Sequence, residues 1–205
     1  MIIGTAGFTA ALSVNKLINK NDYKKDKSIL VSGSTGGIGT ISILLLKNLG
    51  CKVTAITNNY KKTDFLNDIG VDNIIELKKF NKNYTMPLNR MKYDGFIDTI
   101  GGDVINSGSK QLKNNSSIML VGNICKSNFE LNIMPFIIRG IKIIGINAES
   151  CKNTDRKKAW KTLYKIVCDK KLKKIYKECA FNQVINQIKN FNNKNRTGKI
   201  LVKIS

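Results

Sequence analysis

Ser28-Ile-Leu-Val-Ser-Gly-Ser-Thr-Gly-Gly-Ile-Gly39 carries an apolar run straight into four glycines, and the chain then continues with helical apolar spacing from Gly37 to Leu49. A pyrophosphate asks for this order. Its oxygens need backbone closer than a side chain permits, together with the unpaired N–H groups and positive dipole end of a helix. Gly33, Gly36, Gly37 and Gly39 supply the tight turn, the close approach and the close helix packing. Glycine spacing alone also arises in purely structural turns. Strand, loop and helix in sequence are what point to a dinucleotide.

Working outward, apolar runs alternate with helical stretches from about Ser28 to Asn147, the mark of a parallel sheet covered by helices. The candidate strands are Ser28 to Ser32, Lys52 to Thr57, Asn73 to Glu76, Gly95 to Asp98, Ser117 to Val121 and Ile141 to Ile146. Between them Gly37 to Leu49, Lys61 to Ile69 and Val104 to Leu112 have helical spacing, and Ile41 to Leu46 is apolar nearly all round, as in a buried helix. The expectation is an α/β, Rossmann-type doubly wound parallel sheet over residues 1–150, with a leading helix. Residues 151–205 form an appendage: a basic amphipathic helix from about Thr154 to Asp169, a short segment Ile175 to Cys179, a helix around Asn182 to Phe191 and a closing strand near Lys199. No internal repeat or Pro-rich linker interrupts this plan.

In NAD-preferring folds an acidic residue near the end of the second strand accepts the ribose hydroxyls. Here that place reads Thr57-Asn58-Asn59-Tyr60-Lys61-Lys62. With no carboxylate and two lysines close by, a 2′-phosphate is favoured, so NADPH is expected over NADH. The competing reading is that Lys61 and Lys62 merely begin an exposed helix.

The 42% hydrophobic and 24% charged content suits a folded, soluble body. The net charge of +21 raises the question of nucleic acid or an anionic membrane. Lysine is scattered from Lys16 to Lys203 among many Asn and Ile, and no aromatic and basic stacking motif is visible, which argues against a nucleic-acid surface. Cys51, Cys125, Cys151, Cys168 and Cys179 make no CxxC pair and the chain has no histidine, so the cysteines read as free thiols and no metal site is expected. Such thiols fit a reducing, cytoplasmic setting. The apolar start, Met1 to Leu12, is broken by Asn15 and Lys16 and resembles neither a signal peptide nor a membrane span.

Two enzyme families use such loops. The short-chain dehydrogenases need a Tyr-x-x-x-Lys after the fourth strand, and the only such spacing here, Tyr23 to Lys27, precedes the glycine loop. The other family fits at several places. Met1-Ile-Ile-Gly-Thr-Ala-Gly-Phe-Thr-Ala-Ala-Leu12, the glycine loop itself, Tyr93-Asp-Gly-Phe-Ile-Asp-Thr-Ile-Gly101, the block Ile133-Met-Pro-Phe-Ile-Ile-Arg139 and the closing Gly198-Lys-Ile-Leu-Val-Lys-Ile204 resemble the YhdH/YhfP family. These are zinc-independent, quinone-oxidoreductase-like members of the medium-chain dehydrogenase/reductase superfamily, and they include acryloyl-CoA reductases.

The resemblance implies an oxidoreductase that uses NADPH to reduce the carbon–carbon double bond of an α,β-unsaturated acyl-CoA, enone or quinone. Gly33, Thr35, Gly36, Gly37 and Ile38 would hold the pyrophosphate. Thr57, Asn58, Asn59 and Lys61 would face the 2′-phosphate, and Asn123 and Ile137 would lie near the nicotinamide. Asp98 is expected to brace the loop Thr99 to Gly102, and no residue stands out as catalytic. A homodimer through an edge strand at Lys142 to Ile146 is a further implication. The chain departs from the family in two ways. Thr57-Asn58-Asn59 replaces a Ser-Gly-Arg-like signature, leaving Lys61 or Lys62 to supply the charge. The GroES-like β domain that precedes the Met1 segment in the family is expected to be absent, so Lys199 to Ile204, with Ile175 to Cys179, would lose their sheet partners and leave an open edge. A cofactor-binding module without catalysis therefore stays open beside the reductase reading, as, more remotely, does a basic nucleic-acid-binding domain.

Overall fold

The structure, a computed structural model, describes residues 2–18, 25–58, 62–82, 86–125, 128–167, 170–189 and 197–204. Six parallel strands, β1 (Ser28–Ser32), β2 (Lys52–Thr57), β3 (Asn73–Glu76), β4 (Gly95–Asp98), β5 (Ser117–Leu120) and β6 (Lys142–Gly145), form one sheet in the order β3-β2-β1-β4-β5-β6. This is the strand order of a doubly wound dinucleotide fold. Successive residues of β1 face opposite layers: Ile29 and Val31 join one core while Leu30 joins the other. Both faces are covered, which explains why these strands read as unbroken apolar runs.

One layer contains α1 (Gly4–Leu17), α2 (Gly37–Asn48) and α7 (Asn153–Val167), which pack on one another and on the sheet. Ile41 to Leu46 are buried all round because α1 and α7 close over α2 from the solvent side. Small residues make this possible: a Cβ on Gly7 of α1 would stand 3.2 Å from Ile41 Cδ1. Ala159, Leu163 and Ile166 bring α7 into the same core. The opposite layer holds α4 (Leu77–Lys82), α5 (Asp103–Ser109) and α6 (Met134–Arg139), and Phe80, Phe96, Val104 and Ile118 form its core. The short α3 (Thr63–Asp68) covers the outer side of the first layer through Leu66.

The sequence block ending at Arg139 has a structural task. The Arg139 guanidinium donates to the carbonyl oxygens of Lys110 at 2.8 Å, Leu112 at 3.0 Å and Asn89 at 2.6 Å, tying α6 to the edge of the sheet where the strands begin. Arg139→Met keeps the apolar stem but strands these buried acceptors. Unfolding in urea should then show a loss of about 2–3 kcal/mol, since hydrogen bonds to a charged group are worth about 1.5–3 kcal/mol each and water recovers part of them.

Beyond α7 come a 3-10 turn at Lys170–Ile175, β7 (Tyr176–Ala180), α8 (Val184–Lys189) and β8 (Lys199–Lys203). The sequence led us to expect two strands without partners. Instead β7 and β8 pair with each other in parallel, Tyr176 opposite Lys199 through Ala180 opposite Lys203. Each thus satisfies one side of its backbone, and only the outer edges of the pair stay open. The short helices α4 and α6 were not foreseen, and Cys168 lies outside the described residues.

Candidate cofactor site

Gly33 closes β1 in the left-handed region, φ +59°, and a Cβ there would run into the Thr99 hydroxyl and stand 3.3 Å from Ile100 Cγ1. The chain then turns, with the Gly36 N–H donating to the Gly33 carbonyl at 2.9 Å. Gly36 is the N-cap of α2 in extended geometry, and no side chain caps this helix. The first acceptor inside the helix is the Gly36 carbonyl, taken by the Thr40 N–H at 3.0 Å and its hydroxyl at 2.8 Å. The earlier N–H groups, of Gly37, Ile38 and Gly39, therefore have no partner within the helix. Gly39 explains how closely loop and helix approach: its Cβ would lie 2.9 Å from both Gly33 C and Ser34 Cα, nearer still to the Gly33 oxygen. An uncapped helix start beside a cradle without side chains fits a pyrophosphate.

Neighbouring loops hold the cradle. Asp98 at the end of β4 is fully buried, accepts from the Ser32 hydroxyl at 2.5 Å and from the backbone N–H groups of Ile100 at 3.3 Å and Gly101 at 2.9 Å. The Ser32 oxygen in turn accepts the Thr99 N–H at 2.9 Å. Asp98 thus braces the loop from Thr99 onward. Burial pushes its carboxyl above the ordinary carboxylate range, and the three donors work against that rise.

The expected site residues fall into three groups. Gly33, Thr35, Gly36, Gly37 and Ile38 share the β1–α2 loop; Thr57 ends the adjacent β2, buried, with Asn58 exposed just beyond it. Asn59 and Lys61 lie outside the described residues, while Lys62 is the N-cap of α3. Glu76, opposite Thr57 on β3, brings a carboxylate to the same end of the sheet. Asn123 is exposed in the loop after β5, at the same sheet edge as the glycines. Ile137 is 69% exposed on α6, whose Phe136 packs against the core on the side of the sheet away from α2.

Lys199 was missed. Its side chain lies across the start of α2, Cε being 3.3 Å from where a Gly37 Cβ would be, and its Nζ donates to the Ile3 carbonyl at 2.7 Å. Gly198 N–H anchors this approach by donating to the Thr35 carbonyl at 2.8 Å. Desolvation holds the Lys199 ammonium below the usual lysine range. A cation with no carboxylate beside it among the described residues, resting on an uncapped helix start, is placed to meet an anion. The only signal in the sequence was the closing Gly198-Lys199 pair, far from the loop it serves.

Residues 37–165 match the family model described as zinc-binding dehydrogenase. The chain belongs to that family, and through it to the medium-chain dehydrogenase/reductase superfamily. It is 28% identical over 205 residues to the putative quinone oxidoreductase YhfP of Bacillus subtilis, covering 100% of this chain and 62% of that protein. It is also 28% identical to the probable acrylyl-CoA reductase AcuI of Escherichia coli, covering 100% of this chain and 63% of the relative. Among solved structures, the yhdH oxidoreductase of Salmonella enterica in complex with NADP superposes with a TM-score of 0.91 at 28% identity, over 100% of this chain and 63% of that one. The chain thus spans about three fifths of the length of these relatives. The family's zinc does not fit here: the chain has no histidine, and among the described residues no three of His, Cys, Asp and Glu gather. Among the same residues no helix is long and apolar enough to cross a membrane.

Proposed function

We propose that this chain is the dinucleotide-binding part of an NADPH-dependent reductase acting on the conjugated double bond of an α,β-unsaturated acyl-CoA, or of an enone or quinone. The observation that carries the reading is the uncapped start of α2 with Gly39 against the Gly33 backbone and Lys199 across Gly37. When bound, NADPH supplies the hydride that adds to the β carbon of the substrate. The chain's own part is to hold it. Thr35, Gly36, Gly37 and Ile38 offer backbone to the pyrophosphate, Gly33 makes the turn, and Lys199 adds the charge. Thr57, Asn58 and Asn59, with Lys61 or Lys62, serve the 2′-phosphate. Asn123 and Ile137 serve the nicotinamide end. Among the described residues Asp98 is the one buried carboxylate, and its oxygens are taken up by the loop, so it is not assigned a proton-transfer role.

Residues 1–150 are the nucleotide-binding unit in this reading, and 151–205 an appendage whose outer surface meets a substrate-binding domain. The substrate is a small molecule, and the setting is cytoplasmic. A homodimer fits the open edge of β6, where Ile143 is 36% exposed.

The test is titration of the purified chain with NADPH and NADH, followed by nicotinamide fluorescence. Saturable enhancement with NADPH, at a Kd well below that for NADH, is the expected result. Equal affinity would remove the 2′-phosphate site and give Glu76 the ribose instead. No binding of either would sink the reading.

A further inference from the structure

Between the first turns of α1 and α7 lies a cleft of about 630 Å³, within the size range of small-molecule sites. Gly4, Thr5 and Phe8 form one wall; Glu149, Arg156 and Trp160 form the other. The site is built around aromatic rings. Phe8 and Trp160 stack with centroids 5.7 Å apart and planes at 22°, and Arg156 lies over the Phe8 ring with Cζ 4.9 Å from its centroid. Phe8 is buried, whereas 48% of Trp160 remains open. Arg156 donates to the Glu149 carbonyl at 3.2 Å, and among the described residues no carboxylate pairs with it. A guanidinium has five N–H donors in a fixed fork, so most of its capacity is available.

The cleft is next to the proposed cofactor site. The α1 turn that lines it also packs on the start of α2: Ala6 Cβ is 3.6 Å from where a Gly37 Cβ would be, and Lys199 Nζ is 3.4 Å from the corresponding position at Gly4. Its other wall, at Glu149, follows β6 at the end of the sheet where the strands finish, the edge that carries the glycine loop. None of the residues that line the cleft belongs to the pyrophosphate cradle.

We propose that this cleft seats the phosphorylated adenine head of a coenzyme A thioester, the adenine against the open Trp160 indole and a phosphate on Arg156. This rests on the acyl-CoA form of the reading above. Stacking of a base on an indole and bidentate pairing of phosphate with guanidinium are the two recognition modes that an exposed ring and an unpaired arginine provide side by side. The Glu149 carboxylate is the one opposing charge on the wall and weakens the same site.

Trp160 is the only tryptophan of the chain, so its fluorescence reads the cleft directly. Titration with free coenzyme A should quench it saturably, adenosine 3′,5′-bisphosphate should do the same, and pantetheine and inorganic phosphate should not. Arg156→Gln should weaken coenzyme A by about tenfold, the loss expected for a charge-assisted phosphate contact, and Glu149→Gln should tighten it. NADPH affinity, read by nicotinamide fluorescence, should be unchanged in Arg156→Gln, which also shows that the variant is folded. No quenching by coenzyme A, equal quenching by pantetheine, unchanged affinity in Arg156→Gln, or displacement of coenzyme A by NADPH would each overturn the proposal. If NADPH fails to bind while coenzyme A still quenches in this pattern, the cofactor reading falls and the cleft stands.

Discussion

Gly39→Ala should reduce NADPH affinity by about a hundredfold or more. The added methyl would stand 2.9 Å from Gly33 C and Ser34 Cα, and these are backbone atoms that no rotamer change can move aside. The loop must shift instead, and the loop and helix start supply the N–H groups proposed to bind the pyrophosphate. Losing two charge-assisted hydrogen bonds, each worth about 1.5–3 kcal/mol, accounts for a change of that size. Overpacking should also cost about 1–3 kcal/mol of stability. Gly145→Ala is the matched control, because nothing lies within 4 Å of its Cβ position. Titration by nicotinamide fluorescence and unfolding in urea separate the two effects. Full NADPH affinity in Gly39→Ala would mean that the dinucleotide is not held at this loop.

Why Gly39 was legible in the sequence while Lys199 was not follows from how each contact is made. The cradle is local: Gly33, Gly36, Gly37 and Gly39 lie within one turn of chain, and their meaning depends only on a strand before and a helix after. The sheet was equally readable, since each parallel strand is buried on both faces and announces itself as an apolar run such as Ile29-Leu-Val31. Strand order and the pairing of β7 with β8 are non-local, and nothing in Tyr176 to Ala180 indicates that Lys199 to Lys203 lies beside it. The helices α4 and α6, each of 6 residues, are too short to show a helical period. The Met134-Pro135 start and Gly140 in the left-handed conformation, φ 61°, are the cap signals by which α6 could have been found.

The same reasoning separates two kinds of conspicuous residue. Asp98 and Arg139 stand out in the sequence as polar groups in apolar surroundings. In the structure Arg139 spends its donors on three backbone carbonyls, and Asp98 accepts from one hydroxyl and two backbone N–H groups. Their partners are internal, which marks them as braces. Lys199 keeps donor capacity beside the uncapped start of α2, and Arg156 keeps it beside a solvent-accessible cleft. That difference, more than burial or spacing, distinguishes a binding residue from a structural one here.

Lys199→Met is the second substitution with a large expected effect, and its pH dependence makes it decisive. Methionine keeps most of the stem that crosses Gly37 but removes the charge. If Lys199 meets the pyrophosphate, NADPH and NADH should both weaken by about ten- to a hundredfold, because both carry that group, and a charge-assisted contact is worth about 1.5–3 kcal/mol. Lys62→Met, by contrast, should affect NADPH alone. Desolvation already holds the Lys199 ammonium below the ordinary lysine range, and bound phosphate would raise it again. The complex then holds more protons than the free protein, so wild-type affinity should fall as alkaline pH rises through the lowered pKa. Stability of the free protein has the opposite sign. There the folded state holds fewer protons than the unfolded chain, so the Lys199 contribution improves as pH rises through the folded value towards 10.5. Affinity and stability differences between wild type and Lys199→Met should therefore move in opposite directions over that alkaline range. A general loosening of the protein would move them together, and a Lys199→Met affinity profile matching wild type would remove the residue from the site.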